Sequence, residues 1–318
     1  MRIVTTLPSA TETVAALDLN PAAVSHECDY PPSVESLPSV TSSRIDTSGS
    51  SAEIDSQVLD TADDGGVYEI DTELLEDIEP DLIVTQGMCD VCAVDETVVT
   101  EAVADLEAAP EILTTDPHRV SDVLDDLERV GRATDLEERA REVRAALESR
   151  IDVIRERTAD LEAEDRPRVA IFDWTDPAMI AGHWTAELAE WAGGTYGLAD
   201  AGERSRPREW DEIREYDPEL VIVAPCGFGL EQIAANAADL TQREDWDKLT
   251  AVQNGRVWAM DGDHYLNRPG PRLVDTLEAL APIVQPDLFD EGTPPEPLSG
   301  IAVPFETLSA RLETDANQ

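Results

Sequence analysis

The chain holds a single lysine, Lys248, and its 23 basic residues face 69 Asp and Glu among 318 residues, a formal charge of −46. That shortage excludes nucleic acid as a partner, because binding to phosphates depends on Lys and Arg displacing counterions. The acids are spread along the chain instead of gathered in one tail. A compact body with so much like charge repels itself. At molar salt the Debye length falls to about 3 Å, and neighbouring carboxylates scarcely interact. A halophilic, haloarchaeal-like source with a hydrated acidic surface is therefore expected. Cysteine is also scarce: Cys28, Cys89, Cys92 and Cys226 are too few for a disulfide scaffold of this length. No stretch of 18 consecutive apolar residues is present, so membrane insertion is not expected. The opening MRIVTTLPSATE runs directly into a strand and a helix start, with no apolar signal region, twin arginine or lipobox-like cysteine. As written, the sequence reads as cytoplasmic; a trimmed export signal would make the protein extracellular or membrane-associated.

What is present is a rhythm. Short β-branched runs, RIVTTL, AAVSHE and DLIVTQ, alternate with polar loops and helical patterns, as parallel βα units do. After Pro167 the rhythm restarts with RVAIFDW, ELVIVAP and RVWAMDG. Between the two sets, Leu136, Ala140, Val143, Leu147, Ile151, Ile154 and Leu161 recur at helical spacing. One helix over about 135–163 would be ~43 Å long, enough to connect two lobes; an ordinary surface helix of one lobe is the plainer reading. The expected fold is α/β, with two lobes that each carry a mostly parallel sheet flanked by helices, joined by one long connecting helix. The expected boundaries are 1–130 for the first lobe, 131–166 for the connector, 167–284 for the second lobe and 285–318 for an acidic, Pro-containing tail. That tail has weak helical character only over 305–312 and is expected to be peripheral.

In open α/β sheets, ligands bind outside the carboxyl ends of the strands, where loops and helix starts converge. Six unusual loops follow predicted strands: LPSATE (7–12), HECDYPP (26–32), TQGMCDVCA (85–93), DWTDPAMIAGHW (173–184), APCGFG (224–229) and DGDHYLNRPGPR (261–272). Three belong to each lobe, and the expectation is that both sets open onto one cleft.

These motifs carry a resemblance. LPSATE opening the first helix, TELLEDIEPDLIVTQ, AGHWTAELAEWAGG, WDEIREYDPELVIVAP and WDKLTAVQNGRVWAMDGDHYLNRPGPR, in that order over residues 1–285, resemble the substrate-binding proteins that deliver cobalamin and iron chelates to ABC importers. HECDYP, CDVCA and APCGF are similar to a cobalamin-binding subfamily. The resemblance implies a binding protein and not an enzyme, with no cofactor of its own and an ABC permease as partner. It also implies that one acidic residue per lobe docks on the permease. Glu73 matches the first, and Asp211 or Glu212 the second; in so acidic a chain the default for any carboxylate is solvated surface.

Residue by residue, Ser9 and Glu12 fit a capping box, a role compatible with ligand contact by Ser9. Trp174, Trp184 and Tyr265 are candidates to stack on a flat macrocycle, with lobe-core packing as the competing account. Tyr30 is the candidate for the opposing wall, with Gln86 beside it. Cys89 and Cys92 form a CxxC pair that suits zinc or redox chemistry, but the second pair of a zinc module is absent. For Cys28, Cys89, Cys92 and Cys226 three accounts stand: packing or disulfide-capable thiols, contact with a metal-bearing ligand, or, for Cys28, Cys89 and Cys92, a bound metal. His26, His183 and His264 lie on the same loops. Arg268 and Arg272 are candidates to pair with a ligand carboxylate or phosphate, against salt bridges to local acids. Around Asp173, Asp176 and Asp261 no nucleophile, base and orienting group can be assembled, so catalysis has no physical case.

The reading is capture of cobalamin or a related metal chelate by Ser9, Tyr30, Gln86, Cys89, Cys92, Trp174, His183, Trp184, Cys226, Tyr265 and Arg268. The alternative is a cytosolic metal- or redox-handling protein using the four thiols on the same scaffold. A purely structural interaction protein is disfavoured by the Cys, His and Trp at strand ends. The charge balance makes a first prediction: the melting temperature rises steeply with KCl up to molar concentration, and equal stability without added salt contradicts it.

Overall fold

The computed structural model describes residues 1–61, 66–88, 94, 96–104, 106–289 and 292–308. Two compact units divide the chain. The first holds Met1–Gly49, Glu53–Leu147 and Pro269–Pro271; the second holds Ser50–Ala52, Glu148–Arg268 and Arg272–Gln318.

In the first unit β1 (Ile3–Thr5), β4 (Leu82–Gln86) and β5 (Glu111–Thr115) form a parallel sheet in the order β1-β4-β5. Ile3, Val4, Leu82, Ile83 and Val84 are at most 2% exposed, as expected for strands covered on both faces. The covering helices are α1 (Pro8–Ala16), α3 (Thr72–Ile78), α4 (Glu96–Val103) and α5 (Val120–Ala133), and Leu75, Val99 and Val103 pack in one cluster with Val4 and Ile83. The expected strand AAVSHE is reduced to single parallel bridges, Val4 with Ala23 and Val24 with Ser39. A short antiparallel pair, β2 (Thr41–Ser43) with β3 (Tyr68–Ile70), lies beside α2 (Ser51–Thr61) in sequence.

The second unit is built on a six-stranded sheet in the order β11-β10-β9-β6-β7-β8. Its centre is parallel: β6 (Val169–Trp174), β9 (Leu220–Val223) and β10 (Val257–Met260). The antiparallel strands β7 (Met179–Ile180) and β8 (Arg206–Pro207) extend one side, and β11 (Ala302–Pro304) extends the other. Helices α7 (Thr185–Trp191), α8 (Trp210–Tyr216), α9 (Leu230–Ala235), α10 (Ala238–Thr241), α11 (Thr250–Gln253) and α12 (Leu273–Val284) complete it. Near-complete burial of α12 reflects a helix that is apolar almost all round.

The helix α6 (Glu137–Thr158) is continuous across the boundary at Leu147. At 22 residues it is about 33 Å long, shorter than the sequence pattern predicts. Its apolar stripe is buried: Ala140, Leu147, Ile151 and Ile154 are all under 8% exposed. The last turn is anchored where the Thr158 hydroxyl donates to the Trp191 carbonyl at 2.9 Å. Arg150 adds a fork onto α12, donating to Asp275 and to both oxygens of Glu278.

Over the described part of 285–318, the expectation of a peripheral tail is corrected. β11 pairs antiparallel with β10, and Leu298, Ile301, Val303 and Leu308 are buried. Phe305 lies 6.5 Å from Trp246, which stacks on Trp210 at 6.2 Å. The proline-rich composition conceals a three-residue strand held by tertiary packing. Deleting residues 298–318 is expected to cost at least about 3 kcal/mol of stability in urea unfolding at molar KCl, from the loss of four buried aliphatic side chains. An unchanged midpoint would show the segment to be dispensable.

Candidate functional site

At the carboxyl ends of the first unit's strands the apolar sequence gives way to threonine: IVTT, LIVT and ILTT. The hydroxyls bond to one another and to nearby main chain. Thr5 and Thr11 are 2.6 Å apart, Thr6 donates to Thr85 at 2.9 Å, and Thr115 donates to the Thr85 carbonyl at 3.0 Å. These buried hydroxyls are satisfied without charge, the arrangement that burial requires of polar groups. The network was not among the residues singled out from sequence, although the repeated apolar-to-threonine step was a readable signal for it.

Of the residues that sequence did single out, Ser9, Gln86 and Cys28 lie on or against the elements that carry these threonines. Helix α1 begins with Leu7 as N-cap and Pro8 in its first turn, and no side chain caps it. The expected capping box of Ser9 and Glu12 is therefore not formed. Proline, which lacks the N–H that a cap would satisfy, starts the helix before Ser9 and leaves Ser9 inside it. Ser9 is 5% exposed, and its carbonyl accepts from Thr13 at 2.8 Å. Gln86 is 3% exposed and uses Oε1 to accept from the Met88 amide at 2.6 Å, closing the turn after β4. Cys28 is buried, its sulfur 3.1 Å from the Thr11 hydroxyl, and packs with Val24 and Val34. Tyr30, two residues on, stands 44% exposed. Cys89 and Cys92 lie outside the described residues. Among the described residues no group of three or more His, Cys, Asp or Glu is arranged to hold a metal ion.

His26 opens the same loop. Its backbone N–H and ring Nδ1 both lie on the Thr41 hydroxyl, at 3.1 and 2.7 Å, and Thr41 donates onward to Ser25 at 3.0 Å. Burial holds the His26 pKa below that of a free imidazole.

In the second unit the two candidate tryptophans are interior. Trp184 is 4% exposed and donates Nε1–H to the Leu266 carbonyl at 2.9 Å. Trp174 is 9% exposed, donates to the Asp176 carbonyl and lies 5.2 Å from the Phe228 ring. Both fix loops at the strand ends. His183 is more accessible and stacks on Trp184 at 5.5 Å. It adopts a left-handed φ of 52°, a conformation uncommon outside glycine. Gly182 before it must be glycine, because a Cβ there would sit 2.2 Å from the Glu203 carbonyl oxygen.

After β10, Asp261 caps a single π-turn (Gly262–Leu266), accepting from the Asp263 and His264 amides and lying 2.9 Å from His264 Nδ1. That hydrogen bond to Asp261 raises the His264 pKa. Gly262 permits the turn to lie against β9: a Cβ would meet the Pro225 carbonyl oxygen at 2.2 Å. Tyr265 is half-buried with the Arg272 guanidinium 5.0 Å from its ring, and Arg268 is 7% exposed and 3.3 Å from Asp263. Cys226, a part-buried free thiol, follows β9, and its amide donates to the Asp173 carbonyl at 3.0 Å. The structure thus brings Cys226, Tyr265, His183 and Arg268 to strand-end loops of the second unit, and Ser9, Tyr30 and Gln86 to those of the first.

The acids singled out for docking are exposed. Glu73 sits in the first turn of α3, which Asp71 caps through the Leu74 amide. Asp211 and Glu212 occupy the first turn of α8; Asp211 pairs with Arg214, and Glu212 lies 3.9 Å from Arg208. A depression lined by Asp135, Leu136, Glu137 and neighbouring side chains marks the start of α6. It is acidic and follows a helix instead of a strand.

Comparisons with known proteins agree with this geometry. A family model described as "Periplasmic binding protein" matches residues 3–264. The sequence is 24% identical over 230 residues, 71% of this chain and 68% of the relative, to an uncharacterized ABC transporter substrate-binding lipoprotein of Bacillus subtilis. It is 29% identical over 133 residues to the vitamin B12-binding protein of Vibrio cholerae, spanning 40% of this chain and 45% of that protein. Among solved structures, the periplasmic haem-binding protein RhuT of Roseiflexus superposes with a TM-score of 0.68 at 21% identity, covering 91% of this chain and 99% of that one. The periplasmic vitamin B12-binding protein of Vibrio cholerae gives 0.64 at 21% identity, covering 89% and 96%.

One strand-end group makes a pH prediction. Asp173 Oδ1 is sealed from solvent without a hydrogen-bond partner, and burial pushes the carboxyl up to about 6. A carboxyl raised on folding leaves stability unaffected below its unfolded pKa near 4, and its cost grows as pH rises from there and is complete above about 6. Asp173→Asn is therefore expected to change little at pH 4 and to gain about 2 kcal/mol at pH 7–8 in urea unfolding. A gain independent of pH would contradict the assignment.

Proposed function

Because the chain belongs to the periplasmic binding protein family, we propose that it is the substrate-binding component of an ABC importer and that its cargo is cobalamin or a related metal chelate. The observation that carries the choice of cargo is the 133-residue match to a vitamin B12-binding protein, which adds sequence likeness to a shared fold. The strand-end loops support it. In the first unit Tyr30 offers an exposed ring, and in the second His183 and Tyr265 offer part-buried rings and Cys226 a polarizable thiol, residue types suited to contact with a chelate. Ser9, Gln86, Trp174, Trp184 and Arg268 act mainly by shaping those loops, and Cys89 and Cys92 remain proposed contacts with the chelate.

The relatives' names, a lipoprotein and periplasmic binding proteins, favour work outside the cytoplasm over the cytosolic thiol-based alternative. Glu73 and either Asp211 or Glu212 are the proposed contacts with the permease.

Titration at molar KCl with cyanocobalamin, cobinamide, ferric haem and a ferric hydroxamate tests the proposal. Saturable one-to-one binding of at least one chelate, at micromolar affinity or tighter, is expected. Failure of all four, with thiol redox or metal binding as the only activity, would overturn it.

A further inference from the structure

The hydrogen bonds around His26 determine which ring nitrogen carries its proton. A hydroxyl has one hydrogen to give. Thr41 gives that hydrogen to Ser25 at 3.0 Å, so towards His26 it offers only lone pairs. The backbone N–H of His26 takes one at 3.1 Å, and ring Nδ1, at 2.7 Å, must be the N–H nitrogen that takes the other. Nε2 is left as the basic nitrogen.

Nothing described occupies Nε2. Its nearest acid oxygen is Glu27 Oε1 at 4.0 Å, beyond hydrogen-bond distance, and that same oxygen accepts from the Tyr68 hydroxyl at 3.5 Å. The Tyr68 ring lies 5.7 Å away, tilted against the imidazole. The His26 side chain is 27% exposed, enough for a guest to reach it, and the loop it opens carries the exposed Tyr30. A histidine that only pinned its loop would need Nδ1 alone. An imidazole whose Nδ1–H is held by an oxygen acceptor, with Nε2 making no hydrogen bond to a described residue, is the arrangement in which histidine binds metals.

We propose that His26 is an axial ligand to the metal of the captured chelate, bonding through Nε2 in an orientation set by the Thr41–Ser25 relay. This rests on the chelate-capture reading. It narrows the cargo to chelates with an axial position that a nitrogen can take, by displacing water. Cobalt and iron both accept imidazole nitrogen. The bond that forms is nitrogen to metal and the one that breaks is water to metal, with no change of oxidation state.

Absorption spectroscopy at molar KCl provides the test, with diaquocobinamide and ferric haem as probes whose axial positions hold exchangeable ligands, and cyanocobalamin as one whose positions are filled. The wild-type protein is expected to convert diaquocobinamide or haem to a nitrogen-ligated spectrum. His26→Ala should leave the water-ligated spectrum and bind that probe at least about tenfold more weakly, with cyanocobalamin unaffected. Thr41→Val, which removes the acceptor and keeps the shape, should retain the nitrogen-ligated spectrum with about tenfold weaker affinity, the usual effect of losing such a support. Free imidazole added to His26→Gly should restore the spectrum. A bound probe with the same spectrum in the wild type and in His26→Ala would overturn the ligand assignment and leave chelate capture standing. Failure of the wild type to bind any of the three probes would overturn the assignment, and failure to bind the ferric hydroxamate as well would overturn the capture reading.

Discussion

Parallel pairing is the constraint from which the rest follows. β1, β4 and β5 run the same way in the first unit, as do β6, β9 and β10 in the second. Each strand must therefore be regained by a crossover over a sheet face, usually a helix, and the carboxyl ends of all three gather on one edge of each sheet. Buried strand bodies are dominated by Ile, Val, Leu and Ala, with Phe172 and Met260 in the second unit. The polar chemistry is displaced to the last residue or two of each strand and to the loops beyond.

The displacement separates two roles that composition alone confuses. With a formal charge of −46 the chain presents carboxylates nearly everywhere, yet the strand ends of the first unit are lined by neutral groups: Thr5, Thr6, Thr85, Gln86, Thr115 and an imidazole below its ordinary pKa. In the second unit the loop after β10 keeps two arginines buried, Arg268 and Arg272. The acidic surface answers to solvent, whereas the strand ends of the first unit keep neutral hydroxyl and amide groups bonded to one another and to main chain.

The strands that could be read from sequence were those whose apolar run is continuous, β1, β4, β6, β9 and β10, because burial on both faces leaves no alternation to misread. β5, with the half-exposed pattern EILTT, was not read, and neither were the two-residue strands β7 and β8, which exist only through their pairing. β11 was hidden by the prolines around it. The stripe from Ala140 to Ile154 announced α6, but its end depends on Thr158 meeting Trp191, a contact that periodicity does not encode. On the candidate loops, residue type marked positions that lie at strand ends, while the packing role of each residue came from tertiary partners. Trp184 reaches Leu266 across 82 residues and becomes interior. His26 reaches Thr41, 15 residues away, and its ring is oriented through Nδ1. Pro8 displaced the cap that Ser9 and Glu12 seemed to spell, because it moved the helix start.

Amide hydrogen exchange with and without a bound chelate, at molar KCl, addresses the central claim most directly. Slowed exchange confined to the strand-end loops, 26–32, 173–184, 224–229 and 261–268, is the result this account requires. Slowed exchange at the amino ends of the strands or along α6, with those loops unchanged, would contradict it.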